Sequence, residues 1–236
     1  PTVIRLEKLA ASLLDKEASI FVPSGTQSNL CALLTHCQRG DEYLVGQSAH
    51  AYLFEGGGGA VFGGIQPQPI DQEEDGTLDL EKLASLVKPD DFHYARTRLL
   101  CLENTTWGKV LPMEYLAKAR QFADEHGLAL HLDGARIFNA AIALGKPAAD
   151  IAKPFDSVSL CLSKGLGAPV GSVLVGSADF IKQAKRWRKM LGGGMRQSGL
   201  LAAAGIHALE NHVERLAEDH QNASLLAEGL AALEHI

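Results

Sequence analysis

The chain has 236 residues, 46% hydrophobic and 21% charged, which excludes a disordered tail or a disulfide-stapled miniature and leaves room for a large buried core. Lys and Arg number 22 against 28 Asp and Glu, a formal charge of −6, and no basic block is long enough for a nucleic-acid arm. No segment approaches the roughly 20 apolar residues of a membrane span, so neither nucleic acid nor a membrane is expected as a partner.

In chain order, Val3, Ile4, Leu6, Leu9, Ala10, Leu13 and Leu14 share one side of a helix, and residues 18–22 then read as a short buried strand. Pro23-Ser24-Gly25-Thr26 ends that strand. A helix through Asn29, Leu30, Leu33 and Leu34 follows at once, and strand, glycine turn and helix N-terminus together make an anion-binding arrangement. Apolar runs then alternate with amphipathic helices at 43–45, 78–87, 99–102, 112–126, 128–132, 135–144, 157–162 and 172–175. Gly56 to Gly59 form a glycine run without the strand-turn-helix context of a nucleotide loop. From about Ala178 onward the pattern is helical apart from a break at Gly192-Gly193-Gly194, with apolar faces suited to the sheet or a partner subunit.

This rhythm predicts an α/β fold, a mainly parallel sheet flanked by helices. Residues 1–215 are expected to form one large domain and 216–236 the start of a C-terminal small domain, mostly missing. The chain begins at Pro1 and stops within helical periodicity, which reads as a fragment. Cys31, Cys37, Cys101 and Cys161 show no metal-binding spacing and sit in apolar runs, as reduced core thiols of a cytoplasmic protein do.

Two strings carry chemistry. In 157–167, an apolar strand runs into Ser163-Lys164-Gly165, and a partly desolvated lysine amine is the nucleophile a Schiff base needs. The alternative is an ammonium that merely emerges at a strand end. In 128–136, a second apolar strand ends at Asp133, followed by Gly134-Ala135-Arg136. Asp133 serves either to pair with a pyridinium proton or to cap the following helix. Both residues stand at strand carboxyl ends, where open α/β sheets bind ligands. A metal hydrolase built on His131 and Asp133 lacks a third ligand, and no metal is expected.

Taken in order, SGT (24–26), His50, HLDGAR (131–136) and SLCLSKGLGAPVGS (159–172) resemble the fold-type-I pyridoxal phosphate enzymes, whose large domain is aspartate aminotransferase-like. Within them, SGTQSNL, QSAHAYLFEGGGGA, ENTTWGKVLP and WRKMLGGGMRQSG are similar to the low-specificity L-threonine aldolases of the β-eliminating lyase group. The resemblance implies cleavage of L-threonine and L-allo-threonine to glycine and acetaldehyde through a lysine Schiff base. It implies that Lys164 bonds the cofactor, Asp133 holds the ring nitrogen, and Gly25, Thr26 and Ser163 bind phosphate. His50 would stack on the ring and move protons, with His93 as a second active-site histidine and Phe54 as a wall of the substrate pocket. Arg136 would meet the cofactor's phenolic oxygen and the substrate carboxylate, and Lys189 and Arg196 the phosphate of a neighbouring subunit. A homotetramer, a dimer of dimers with sites at the dimer interface, is the implied assembly.

Many relatives read ENTHN where this chain has Glu103-Asn104-Thr105-Thr106-Trp107, so roles of that His and Asn are not assigned, while Asn104 is a candidate ring partner. The family's N-terminal segment and small domain, which supply a serine and a second carboxylate-binding arginine, are not expected here. Aryl-serine aldolase, β-eliminating lyase or racemase activity, and a non-catalytic α/β module, are the alternatives.

Overall fold

Strands form where apolar and small residues alternate over five to eight positions, and successive side chains leave on opposite faces of the sheet. The computed structural model describes residues 1–233. Its strands are β1 (Ala18–Val22), β2 (Asp41–Gly46), β3 (Gln66–Ile70), β4 (Arg96–Glu103), β5 (Ala129–Asp133), β6 (Ser157–Cys161) and β7 (Ser172–Gly176). Its helices are α1 (Thr2–Leu13), α2 (Gly25–His36), α3 (His50–Leu53), α4 (Gly58–Gly63), α5 (Leu80–Leu86), α6 (Met113–Glu125), α7 (Ile137–Leu144), α8 (Ala148–Ala152), α9 (Ala178–Met190), α10 (Gly199–Asn211) and α11 (Leu216–Ala231).

The strands form a single sheet in the order β1-β7-β6-β5-β4-β2-β3. β7 runs antiparallel to both β1 and β6, and every other pairing is parallel. The sheet is therefore mainly parallel, as expected. The alternation divides the core cleanly: Leu100 and Leu102 of β4 pack in the cluster with α1, α6, α7 and α10, whereas Leu99 and Cys101 pack with Leu30, Leu33 and Leu34 of α2. All four cysteines are free and buried.

Three departures from the sequence reading have local causes. β3 was not expected because Pro67 and Pro69 interrupt it; it lies at the sheet edge, where a missing N–H costs no ladder bond on the open side. α7 begins at Ile137 rather than near residue 135, because Asp133 Oδ1 first takes the Ala135 N–H at 3.1 Å in a tight turn. The glycine run supplies α4, with Gly57 at φ +66° as its left-handed N-cap, and Gly59 N-terminal packing that leaves room for Leu33. The expected small-domain start falls on α11, of which only Leu216 is buried, and on residues 234–236, which lie outside the described residues.

Candidate active site

Because β7 is the one reversed strand, the carboxyl ends of β1, β2, β4, β5 and β6 all emerge on the same edge of the sheet. That edge receives Gly25 after β1, His50 after β2, Glu103 at the end of β4, Asp133 at the end of β5 and Lys164 after β6. A cavity of about 250 Å³ there is lined by Ser24, Gly25, Thr26, Asp133, Ser163 and Lys164, among others. A second cavity of about 500 Å³ is lined by Phe54, Glu103, Trp107 and Arg136. His50 lines both, so the two spaces adjoin at its ring.

One end of the first cavity is built for an anion. Ser24 caps α2 by accepting the Gln27 N–H at 3.1 Å, which leaves the first-turn N–H groups of Gly25 and Thr26 to face the cavity at the positive end of the helix dipole. Gly25 must lack a side chain, since a Cβ there would lie 2.9 Å from Cys161 Sγ.

The other end is acidic and largely dry. Asp133 is 3% exposed and accepts from Ala135 N–H and, at 2.7 Å, from Asn29 Nδ2. The same Asn29 nitrogen donates to Glu55 Oε1 at 2.8 Å, and that oxygen lies 3.0 Å from His50 Nδ1. Burial, reinforced by the charges of Asp133 and Glu103, pushes the Glu55 carboxyl up to about 8 against the opposing Asn29 hydrogen bond. Burial and then the Asp133 charge likewise raise Glu103 to about 7, although its Oε2 accepts the His50 backbone N–H at 2.6 Å. Nδ1 of His50 being engaged, Nε2 is the ring nitrogen left for a ligand.

His50, Glu55 and Asp133 also offer three donor atoms within 4.8 Å of one another, the spacing of a cation site. Each carboxyl already accepts an Asn29 hydrogen bond, so the trio is satisfied without a metal. His131 faces the interior, with Nδ1 2.8 Å from Ser157 Oγ, and takes no part in a ligand set with Asp133.

Of the residues singled out in the sequence, Gly25, Thr26, His50, Phe54, Asp133, Arg136, Ser163 and Lys164 line these two cavities. His93, Lys189 and Arg196 do not. His93 sits in the exposed segment before β4, its side chain 67% exposed and 2.6 Å from Asp91. Lys189 lies in the last turn of α9 and Arg196 on the loop that follows, both exposed. Asn104 turns inward, its Oδ1 accepting from Leu111 N–H at 3.3 Å. Glu55, Glu103 and Asn29 are not among the residues the sequence singles out: a carboxylate in a loop and an amide in a helix carry no spacing signal, while Glu103 ends the apolar strand β4 just as Asp133 ends β5. Trp107 stands edge-on to Phe54 and donates from Nε1 to Ser48 O at 3.1 Å.

A residue set that pairs a buried carboxylate, a lysine and a helix-borne anion cradle in one small cavity suits an aromatic, phosphorylated, cationic cofactor. The beta-eliminating lyase family model matches residues 1–236. The chain is 64% identical over 230 residues to a low specificity L-threonine aldolase of Escherichia coli, covering 98% of this chain and 69% of that protein. It is 49% identical over 242 residues to low-specificity L-threonine aldolase 1 of Arabidopsis thaliana, covering 100% of this chain and 68% of the relative. Among solved structures, a threonine aldolase of Leishmania major superposes with a TM-score of 0.86 at 26% identity, over 98% of this chain and 70% of that one. An L-allo-threonine aldolase structure from Listeria monocytogenes gives a TM-score of 0.81 at 27% identity; the chain covers 62% of its length, less than two thirds. The chain belongs to the beta-eliminating lyase family, among the threonine aldolases, as a carbon-carbon lyase.

Proposed function

We propose that this chain is the larger part of a pyridoxal phosphate-dependent aldolase that cleaves L-threonine and L-allo-threonine to glycine and acetaldehyde. The observation that carries the proposal is the convergence of Lys164, Asp133 and the α2 N-terminus on one cavity that meets a second at His50. The donor set fits the cofactor: Lys164 would bond its aldehyde carbon, Asp133 would hold its ring nitrogen, and Gly25, Thr26 and Ser163 its phosphate. Bound there, pyridoxal phosphate supplies an electron sink for the pair released from the Cα–Cβ bond.

The chain's own residues do the rest. Arg136, exposed at the mouth of the second cavity, presents its planar fork to the substrate carboxylate. His50 Nε2, with Nδ1 held by Glu55, accepts the β-hydroxyl proton directly or through a water as the aldehyde forms. Phe54 and Trp107 form an apolar wall that accepts the side chain of either β-epimer. Lys164, which would hold the cofactor between turnovers, would take up the proton that the substrate ammonium gives up and hand it back to the glycine amine at the end of the cycle.

Lys189, Arg196 and His93 serve neighbouring sites or the substrate from outside these cavities, within a homotetramer built as a dimer of dimers. Exposed large apolar side chains on α3 and α4, namely Leu53, Val61 and Phe62, support such an assembly. Residues 1–215 form the cofactor domain and α11 opens a second, smaller one, a reading supported by its exposure. No described helix is long and apolar enough to cross a membrane. Four free, buried cysteines support a reducing, cytoplasmic setting.

Borohydride reduction of the full-length protein with pyridoxal phosphate, followed by peptide mapping, should label Lys164, and L-threonine should yield glycine and acetaldehyde in equal amounts. Pyruvate and ammonia in their place would reassign the reaction to β-elimination. A label scattered over surface lysines would remove the cofactor assignment.

A further inference from the structure

Beneath the cavity floor runs a chain of buried polar groups that the reaction above does not use. Asn29, His131 and Ser157 are each at most 1% exposed, and His36 lies at the far end. The donor inventory allows one direction for every bond. Asn29 spends its amide nitrogen on two acceptors, Asp133 Oδ2 at 2.7 Å and Glu55 Oε1 at 2.8 Å, so its Oδ1 points inward and must accept. The group it meets is His131 Nε2 at 3.3 Å, which therefore carries the hydrogen. His131 Nδ1 is then bare and accepts from the Ser157 hydroxyl at 2.8 Å. Ser157 Oγ in turn accepts from His36 Nε2 at 2.7 Å.

We propose that Asn29 is a positioning residue: locked in one orientation by the relay His36–Ser157–His131, its amide holds the Asp133 carboxylate beside Glu55 and presents it to the ring nitrogen of the proposed cofactor. Without that lock an asparagine amide can rotate by half a turn and set its oxygen against the Asp133 carboxylate, which is repulsive. The relay is built not to change with pH, because burial drives His131 down to about 3 and His36 to about 4, so both rings stay neutral donors and acceptors above that range. The Asn29 bridge also explains how two carboxyls come within 4.8 Å in a dry site, since each receives one of its hydrogens.

The inference rests on the proposal that Asp133 meets a cofactor ring nitrogen, and a ligand pair separates the two. Full-length protein is titrated with pyridoxal phosphate and with its 1-deaza analogue, in which a carbon replaces that nitrogen, and dissociation constants are read by fluorescence or dialysis. Wild type should prefer pyridoxal phosphate by about tenfold or more, equivalent to about 1.4 kcal/mol. Asn29→Leu should reduce that preference to near unity by weakening only the nitrogen-bearing ligand. His131→Leu should act the same way, and His131→Gln, which keeps a donor for Asn29 Oδ1, should restore the preference. If Asn29→Leu and His131→Leu retain the wild-type preference while Asp133→Asn loses it, Asn29 is merely structural and the inference is overturned. If Asp133→Asn also retains it, the ring-nitrogen assignment fails first and takes the inference with it. Where Asn29→Leu does not fold, long-range 1H–15N correlation on the cofactor-free wild type decides: it should show His131 protonated on Nε2 alone, and protonation on Nδ1 overturns the relay.

Discussion

Two buried glutamates at opposite ends of the same parallel strands are treated in opposite ways. Glu42, at the amino end of β2, is fully buried, and it accepts from Lys88 Nζ at 3.1 Å, Thr97 Oγ1 at 3.0 Å and Gln66 Nε2 at 3.0 Å. One cation and two neutral donors satisfy it, as a structural carboxylate in an apolar setting requires. Glu55, at the carboxyl-end edge, is 5% exposed at its side chain and meets Asn29 and His50 directly, with the Asp133 and Glu103 carboxyls and the Lys164 cation acting from farther off. Burial outweighs the Asn29 hydrogen bond and the distant Lys164 cation, so its proton is held to about pH 8. The same residue type is neutralised where the sheet needs rigidity and kept poised where a reaction needs a proton. Unpaired acids in a cleft mark the site more sharply than burial does.

The largest effect belongs to the site end. Lys164→Ala should lower aldol cleavage by at least roughly 10³-fold, about 4 kcal/mol in the barrier, with unfolding by urea unchanged; substantial turnover by a folded, cofactor-loaded variant would dissolve the distinction between the ends. The structural end should answer in the opposite currency. Lys88→Met leaves Glu42 buried without its cation and should cost about 3 kcal/mol in urea unfolding, while kcat per folded molecule stays at the wild-type value.

The comparison sharpens with pH. Folded Glu55 and Glu103 keep protons to about 8 and about 7, whereas unfolded carboxyls release them near 4.5. The unfolded His36 and His131 shed their protons around pH 6.5 while the folded rings are already neutral, so from about pH 7 to 8 the native state binds more protons than the unfolded one. Stability of the cofactor-free protein should therefore fall as pH rises through that window, by about 1 kcal/mol per pH unit, and Glu55→Gln should flatten the curve measured by denaturant midpoint. A curve of unchanged slope in that variant would show that Glu55 is compensated after all, as Glu42 is. Gly25→Ala should cost about 1 kcal/mol of stability through its contact with Cys161 Sγ, and weaken pyridoxal phosphate more than pyridoxal. The smallest effect is expected at His93→Ala, less than roughly tenfold in kcat/KM, since the imidazole stands in solvent beside Asp91.

How much was legible beforehand depended on whether a residue's neighbours in space were also its neighbours in sequence. Asp133 and Lys164 announced themselves because each ends an apolar strand, and Gly25 and Thr26 because they open a helix straight after one. The strands themselves followed from their apolar runs, except β3, whose alternating prolines disguise an edge strand. Glu103 also ends an apolar strand, a signal that was there to be used, whereas Glu55 sits in a loop with none: what distinguishes it is a dry environment assembled from α2, β4 and β5, and no local pattern encodes that.

The amino-acid order alone determined the α/β class, the alternation that sorts the core to two faces, and the anion cradle after β1, because each depends on contacts within a few residues. Tertiary structure decided that β7 runs backwards and that the carboxyl ends of the six other strands share one edge. It also decided that Asn29 reaches Asp133 across 104 residues of chain. Hydrogen bonds and charges of that kind depend on distance and desolvation, which exist only once the sheet has closed over its helices.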